Sequence, residues 1–528
     1  MFIDARSVSA DSVVSADLCI VGTGPAGLTL VKELMDTGLS IVVLESGDLE
    51  ADPEAQDLAS GQNLGRTYFD LDVTRLRYFG GSSNHWGGRC LPLTPHDFSV
   101  HSWIPNSGWP LTSADLDPYY RRAHKIIGIG KFEYDAPRLA KEIGASLFPL
   151  DPAVVQTIWT RVHPLNFGEH MHASVKDSTN VRIFLRAHAL ELETDQAGVK
   201  VERVRVGTLT GNRFSVEAKK FVVACGGLEN PRLLKLSTNG GQRPAGIGND
   251  HDLVGRYFME HLLYDSGFMA MNIRENIYKI YNEFLPYEGH EVQATLALNP
   301  QVLEKEKISN VYFEFQLRHG FGLSPSVTSA MSLFKSFEHG HWPRDFVERA
   351  SDFITDIDTM IDIGAKIISG KPLLYDQEPI YLRTYYYSEQ VPNPKSRVVL
   401  GTEKDAFGQP QIALDWQLDE IDLESARIGH EILASQIGAS GIGRAAFNLG
   451  LDQNPPMPAV SGGHHHMGTT RMHTDPRKGV VDVNCRVHGT ANLYIGGSSV
   501  FPTSGYANPT LTITALSCRL ADHIRSQI

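Results

Sequence analysis

The stretch SGGHHHMGTTRMH (461–473) sets three consecutive histidines between glycines and a Gly-Thr-Thr turn. A neutral imidazole near physiological pH can take a proton from a hydroxyl, so a general base among the three is one reading. A metal site and an accidental, tag-like run are the others. The metal reading fails on geometry: adjacent side chains diverge along an extended chain, and no neighbouring cysteine or carboxylate pair completes a ligand set. No metal is therefore expected.

A base needs an acceptor for whatever leaves with the proton, and the N-terminal region offers a place for one. DLCIVGTGPAGLTLVKELMDTGLSIVVLE (17–45) reads as an apolar strand, a glycine turn, a helix with one apolar face and a second strand, which together make a βαβ unit. Gly22 is expected to make the tight turn, Gly24 to let a pyrophosphate approach the backbone, and Gly27 to let helix and strand pack closely. The helix N-terminus supplies unpaired N–H groups for phosphate. Glu45, at the end of the second strand, would accept hydrogen bonds from a ribose and repel a 2′-phosphate, so NADP is disfavoured. GASGIG (438–443) has its glycines in the wrong order and follows a helical segment, so one dinucleotide is the simpler reading.

Three further segments share this punctuation. RYFGGSSNHWGGRC (77–90) is too rich in glycine to be regular helix or strand and must wrap something flat or phosphorylated. FVVACGGLENPRLLKL (221–236) reads as a buried strand, a turn and a helix capped near Asn230 with Pro231 in its first turn. NLYIGGSSVFPTSGYANPTLTITALSCRLADHI (492–524) reads as strand, turn, loop and apolar helix.

Together these motifs resemble the glucose–methanol–choline (GMC) oxidoreductases, over roughly 17–95, 220–262 and 460–524, and within them the pyranose oxidases and the glycoside 3-oxidases and 3-dehydrogenases. SNHW, HHMGTTRM and GYANPTLT fall in register with pyranose oxidase motifs, and YYYSEQVPNPKSRVVLG (385–401) resembles the superfamily's substrate domain. The resemblance implies FAD and a catalytic pair. The histidine of its HxxGTxxM pattern is His465, followed by Gly468, Thr469 and Met472, and the second group is Asn508 in ANPTLT. His464 and His466 are then structural. Carried over as cofactor contacts are Gly81, Ser82, Asn84, His85, Trp86, Gly497, Ser498, Pro509 and Thr510, beside Gly22, Gly24, Gly27 and Glu45. His85 matches a histidine that is bonded to the flavin in pyranose oxidases. Noncovalent relatives also carry HW there and Asn84 departs from the pattern, so bond and contact both stay open.

The expected chemistry is oxidation of a secondary ring hydroxyl, C2 or C3, of a sugar or glycoside, with electrons passing from the flavin to oxygen or another acceptor. Alternatives are a dehydrogenase for a sugar acid or other polyol, and a lyase of the same fold. A noncatalytic flavin subunit is improbable while His465 and Asn508 are intact. His261 in YFMEHLLYDSG and the histidines of FEHGHW (337–342) read as ordinary buried or surface residues.

Composition agrees with a large enzyme. At 528 residues and 42% hydrophobic the chain can bury more than one core, and a net charge of −13 without a Lys/Arg cluster argues against nucleic acid. Five scattered cysteines without a CxxC suit reduced thiols, and residues 1–22 lack a basic-then-apolar leader, so a cytoplasmic location is expected. No apolar run is long enough to span a bilayer, and 345–370 reads as an amphipathic helix for packing or a homo-oligomer contact rather than a membrane anchor. The expected architecture is mixed α/β (α+β). A Rossmann-like FAD domain would be assembled from 1–95, 195–262 and 455–528. A substrate domain from 96–194 and 263–454 would carry an antiparallel sheet built from EVQATLALNP, NVYFEFQLRHG and YLRTYYYSEQ, with LESARIGHEILASQIG (423–438) as a helix ended by Gly438.

Overall fold

The computed structural model of the chain describes residues 1–163, 166–272, 276–318, 380–450 and 460–528. The βαβ unit forms as its pattern requires. Strand Val13–Val21 buries its last four residues, helix Pro25–Leu34 follows the glycine turn, and Ile41–Leu44 returns parallel, with Val21 paired to Leu44. Around it lies an eight-stranded sheet in the order Phe2–Asp4, Val181–Leu185, Ile41–Leu44, Val13–Val21, Arg213–Val223, Val201–Gly207, His188–Thr194. The long strand Arg213–Val223 joins two regimes. Its first half pairs antiparallel with Val201–Gly207, and Phe221–Val223 pair parallel with Leu493–Ile495.

A second eight-stranded sheet runs Gly443–Phe447, Leu262–Met271, Ile380–Ser388, Val311–Arg318, His290–Leu298, Val155–Val162, Arg89–Cys90, with Leu285–Tyr287 also paired to His290–Leu298, and its pairings are antiparallel. The three strands expected from alternation are at its centre. Helix Glu420–Ala439 packs on this sheet, where Gly429 brings its backbone near Val311 and Phe313. It begins earlier than its apolar spacing suggested because Asp419 and Asp422 form a capping box. Each sheet has its own hydrophobic core, one around Cys19, Val43 and Phe221, the other around Trp159, Phe313 and Trp416.

Two expectations need correction. Residues 181–194, assigned to the substrate domain, are strands of the first sheet: the apolar run Val181–Leu185 fits between Phe2–Asp4 and Ile41–Leu44, a parallel pairing across some 140 positions that no local pattern announces. The helix expected to start near Asn230 starts at Gly226, and Pro231 lies inside it. Asn230 ties neighbouring loops together instead: its Oδ1 accepts from the Cys225 N–H at 2.7 Å while Nδ2 donates to the Gly496 carbonyl and to Ser499 Oγ. All five cysteines are free thiols. No helix among the described residues is long and apolar enough to cross a membrane. The histidines of 337–342 and the segment 345–370 lie outside the described residues.

Candidate active site

The glycine-rich turns meet around a cavity of about 480 Å³ at the ends of the first sheet's strands. Three helix N-termini open onto it, those of Pro25–Leu34, Gly226–Leu236 and Pro509–Gln527, and none has a side-chain cap, so their first-turn N–H groups remain available to an electron-rich ligand.

The glycines divide as the chemistry of a dinucleotide requires. Gly22 adopts φ +101°, and a Cβ there would meet the Ala224 carbonyl oxygen at 2.6 Å. A Cβ at Gly27 would lie 2.0 Å from the Gly22 carbonyl oxygen, which makes it the close-packing position. Cβ atoms at Gly24, Gly87, Gly226 and Gly497 would meet no protein atom within 4 Å, and all four residues line the cavity. Those bare backbones form a cradle that side chains would fill, and the residues present thus fit a bound FAD.

Glu45 is buried at the cavity edge and already holds its surroundings: Oε2 accepts from the Thr23 N–H at 3.1 Å and from the Thr23 hydroxyl, and Oε1 accepts from the Gly47 N–H at 2.9 Å. Gly81, Ser82, His85, Trp86, Ser498, Pro509 and Thr510 also line the cavity. The His85 ring stands exposed to it, edge-on to Tyr78. Asn84, expected among the cofactor contacts, does not line it. Its amide braces the loop, donating to the Phe79 carbonyl at 2.7 Å and accepting from the Gly168 N–H at 2.8 Å.

The three histidines diverge. His464 takes a left-handed φ of +59° and lies exposed, edge-on to Phe69. His466 points inward, its Nε2 3.0 Å from the Tyr68 hydroxyl. His465 faces the cavity, with Nε2 3.3 Å from Asn508 Nδ2 and Nδ1 2.9 Å from His261 Nδ1. Burial and the neighbouring imidazoles His261, His466 and His464 hold its pKa well below the usual histidine value, so the ring is neutral at pH 7. Asn508 Oδ1 is buried without a hydrogen-bond partner among the described residues.

The Gly-Thr-Thr turn after the histidines explains how this loop is fixed. Thr469 Oγ1 donates to the Gly227 carbonyl at 2.6 Å, Thr470 Oγ1 to Ser499 Oγ at 2.7 Å, and Ser498 Oγ to the His466 carbonyl at 2.7 Å. The histidine loop is thereby stapled to both remaining glycine turns.

Sequence reasoning missed two groups. His261, read as ordinary, touches His465. Glu260 lies beneath both, its carboxylate accepting from the backbone N–H of His465 at 2.7 Å and of His261 at 2.9 Å, and from the Tyr68 hydroxyl at 2.5 Å. Burial pushes its pKa up to about 7 against those donors. The second group is an ionic cluster on the cavity wall, Arg75, Arg77 and Arg232 around Glu229, with Asp405 on Arg232. Three guanidiniums hold Glu229 far below the usual carboxylate range. Among the described residues no group of three or more His, Cys, Asp or Glu is arranged to hold a metal ion.

Two sequence profiles, both described as GMC oxidoreductase, match residues 169–263 and 392–517. The chain is 24% identical to 2-methyl-1,2-propanediol dehydrogenase of Mycolicibacterium austroafricanum, covering 97% of this chain and 96% of that one. It is 25% identical to C-glycoside 3-oxidase of Microbacterium trichothecenolyticum, covering 97% of each. The crystal structure of pyridoxine 4-oxidase from Mesorbium loti superposes with a TM-score of 0.57 at 18% identity, covering 96% of this chain and 98% of that one.

Proposed function

The chain belongs to the GMC oxidoreductases, FAD-dependent enzymes acting on alcohol and sugar hydroxyls, and on that premise we propose that it oxidises a secondary ring hydroxyl of a sugar or glycoside, at C2 or C3. The observation that carries the reading is the pair at the cavity wall, His465 Nε2 and Asn508 Nδ2, 3.3 Å apart. A substrate hydroxyl inserted there meets both. His465, neutral at pH 7, takes the hydroxyl proton on Nε2, while the Asn508 amide hydrogen-bonds the oxygen and fixes its position without competing for the proton. Bound FAD supplies the acceptor for the hydride that leaves the same carbon.

The cradle residues act by binding. Gly24, Gly226 and Gly497 admit the dinucleotide to the backbone, the first-turn N–H groups of Pro25–Leu34 face its phosphates, and Glu45 offers its remaining lone pairs to ribose hydroxyls. His85 and Trp86 stand at the cavity as contacts for the flavin, His85 being the residue able to bond it. The relatives support a hydroxyl substrate, and the C-glycoside 3-oxidase, matched over nearly its whole length, supports the sugar class. One of these relatives is named an oxidase and the other a dehydrogenase, so the acceptor is oxygen or a separate electron carrier. Anaerobic mixing of the holoenzyme with sugars and glycosides, followed by air or an artificial acceptor, tests substrate and acceptor together. Absence of flavin bleaching by every sugar and glycoside in the panel overturns the sugar reading.

A further inference from the structure

We infer that His261 is a positioning residue that locks His465 in the one tautomer able to act as a base. The inference rests on the reading of His465 as the base. His261 Nε2 lies 2.8 Å from the Gly505 carbonyl oxygen, which can only accept, so Nε2 carries the proton. The His261 ring is buried and neutral, its pKa pulled down to about 4 by desolvation, so its Nδ1 is a lone pair. His465 Nδ1 sits 2.9 Å from that lone pair and must be the donor. His465, neutral as well, is left with its lone pair on Nε2, the nitrogen that faces Asn508 and the cavity. The chain of hydrogen bonds from Gly505 through His261 therefore decides which nitrogen of His465 is basic. The opposite tautomer would set two lone pairs against each other at Nδ1 and aim an N–H at the substrate.

The backbone is built to hold this relay. Met259 and Met467 form an antiparallel bridge with paired 3.0 Å hydrogen bonds, and that register puts His261 directly across from His465. Glu260, between the two, accepts from the backbone N–H of each imidazole residue. Gly462 has no room for a side chain, since a Cβ would lie 2.5 Å from Glu260. When His465 gains the substrate proton its Nδ1–H bond to His261 is retained. The Gly505 carbonyl cannot take a proton from His261, so the charge stays within the imidazole pair. The titratable groups around the pair are Glu260, His464, His466 and Tyr68.

The test compares wild type, His261→Leu, His261→Gln and His465→Ala, all loaded with FAD, using the sugar or glycoside that reduces the wild-type flavin fastest. Gln retains a carbonyl to accept from His465 and an amide to donate to Gly505, whereas Leu retains neither. Flavin reduction should slow on the order of 10- to 100-fold in His261→Leu and recover most of that loss in His261→Gln. Selective 15N labelling of histidine ring nitrogens, with the His465 signals identified by their loss in His465→Ala, should show Nδ1 protonated and Nε2 bare in oxidised wild type, and a mixture in His261→Leu. A wild-type Nε2–H, an unchanged tautomer and rate in His261→Leu, or equal losses in Leu and Gln would overturn the inference. Normal reduction by His465→Ala would instead remove the base assignment on which it stands.

Discussion

The cradle for the dinucleotide and the histidine cluster above it are built from different materials. The cradle is backbone: Gly22, Gly24 and Gly27 lie within one turn and its helix, and each role follows from what a Cβ at that position would strike or fill. The histidine cluster is side chains brought from far apart, His261 and His465 separated by 204 positions and His261 and Gly505 by 244. The first is local and survives translation into a motif. The second exists only once the distant segments that carry His261, His465 and Gly505 are folded together.

That contrast predicts which variants lose the cofactor and which lose the rate. The largest effect belongs to the cradle. A Cβ at Gly24 meets no protein atom and Gly24 lines the cavity, so Gly24→Val should fold and be colourless, whereas Gly27→Ala should be unstable because its Cβ strikes the Gly22 carbonyl. Flavin absorbance and melting temperature measured side by side separate the two, and a yellow Gly24→Val would place the dinucleotide elsewhere. Next comes the cluster. His465→Ala should keep FAD bound and slow anaerobic flavin reduction by roughly two to four orders of magnitude.

Asn508→Ala should slow reduction less and leave its pH dependence intact, since the amide orients the oxygen and does not titrate. Because the pKa of His465 is held well below the usual histidine value, the base is competent through the neutral range, and reduction should be flat there and fall only on acidification. A rate still climbing above pH 8 would mean another group is titrating. Glu45→Ala should weaken FAD by about 1 to 3 kcal/mol, part of it through the Thr23 and Gly47 N–H groups it leaves unpaired, which a flavin titration measures. For His85, the mass of the denatured chain sorts bond from contact. A gain of one FAD that His85→Ala abolishes assigns a bond, and flavin freed from wild type assigns contact alone. The smallest effect should be His464→Ala, whose exposed ring packs edge-on to Phe69 and has no hydrogen bond to His465 or Asn508 among the described contacts, so the reduction rate should be nearly unchanged.

Much of the fold was legible because it rests on periodicity. The βαβ unit, the three central strands of the second sheet and the last helix all follow from apolar spacing and glycine punctuation. Residues 181–194 were misplaced because Val181–Leu185 enters the first sheet by a long-range parallel pairing, which leaves no trace in local pattern, and His188–Thr194 follows it there by pairing antiparallel with Val201–Gly207. The helix start near Asn230 was misread because Asn and Pro normally mark an N-terminus, and here the Asn230 amide is spent on Cys225 and Gly496. At the site, the choice of His465 among the three histidines came from the family resemblance, through the HxxGTxxM pattern completed by Gly468, Thr469 and Met472, and the surroundings of that ring were not legible at all. A histidine in FMEHLL carries no sign that it faces another imidazole, and Asn84 reads like a cavity residue although its amide closes its own loop.

The most direct measurement is anaerobic mixing of FAD-loaded wild type and His465→Ala with a panel of sugars, glycosides and simple alcohols while the flavin band is followed. The account predicts fast bleaching of wild type by a sugar or glycoside with a free secondary ring hydroxyl, and bleaching slower by orders of magnitude in the variant with flavin still bound. Bleaching of both proteins at the same rate, or of wild type by simple alcohols alone, would contradict it.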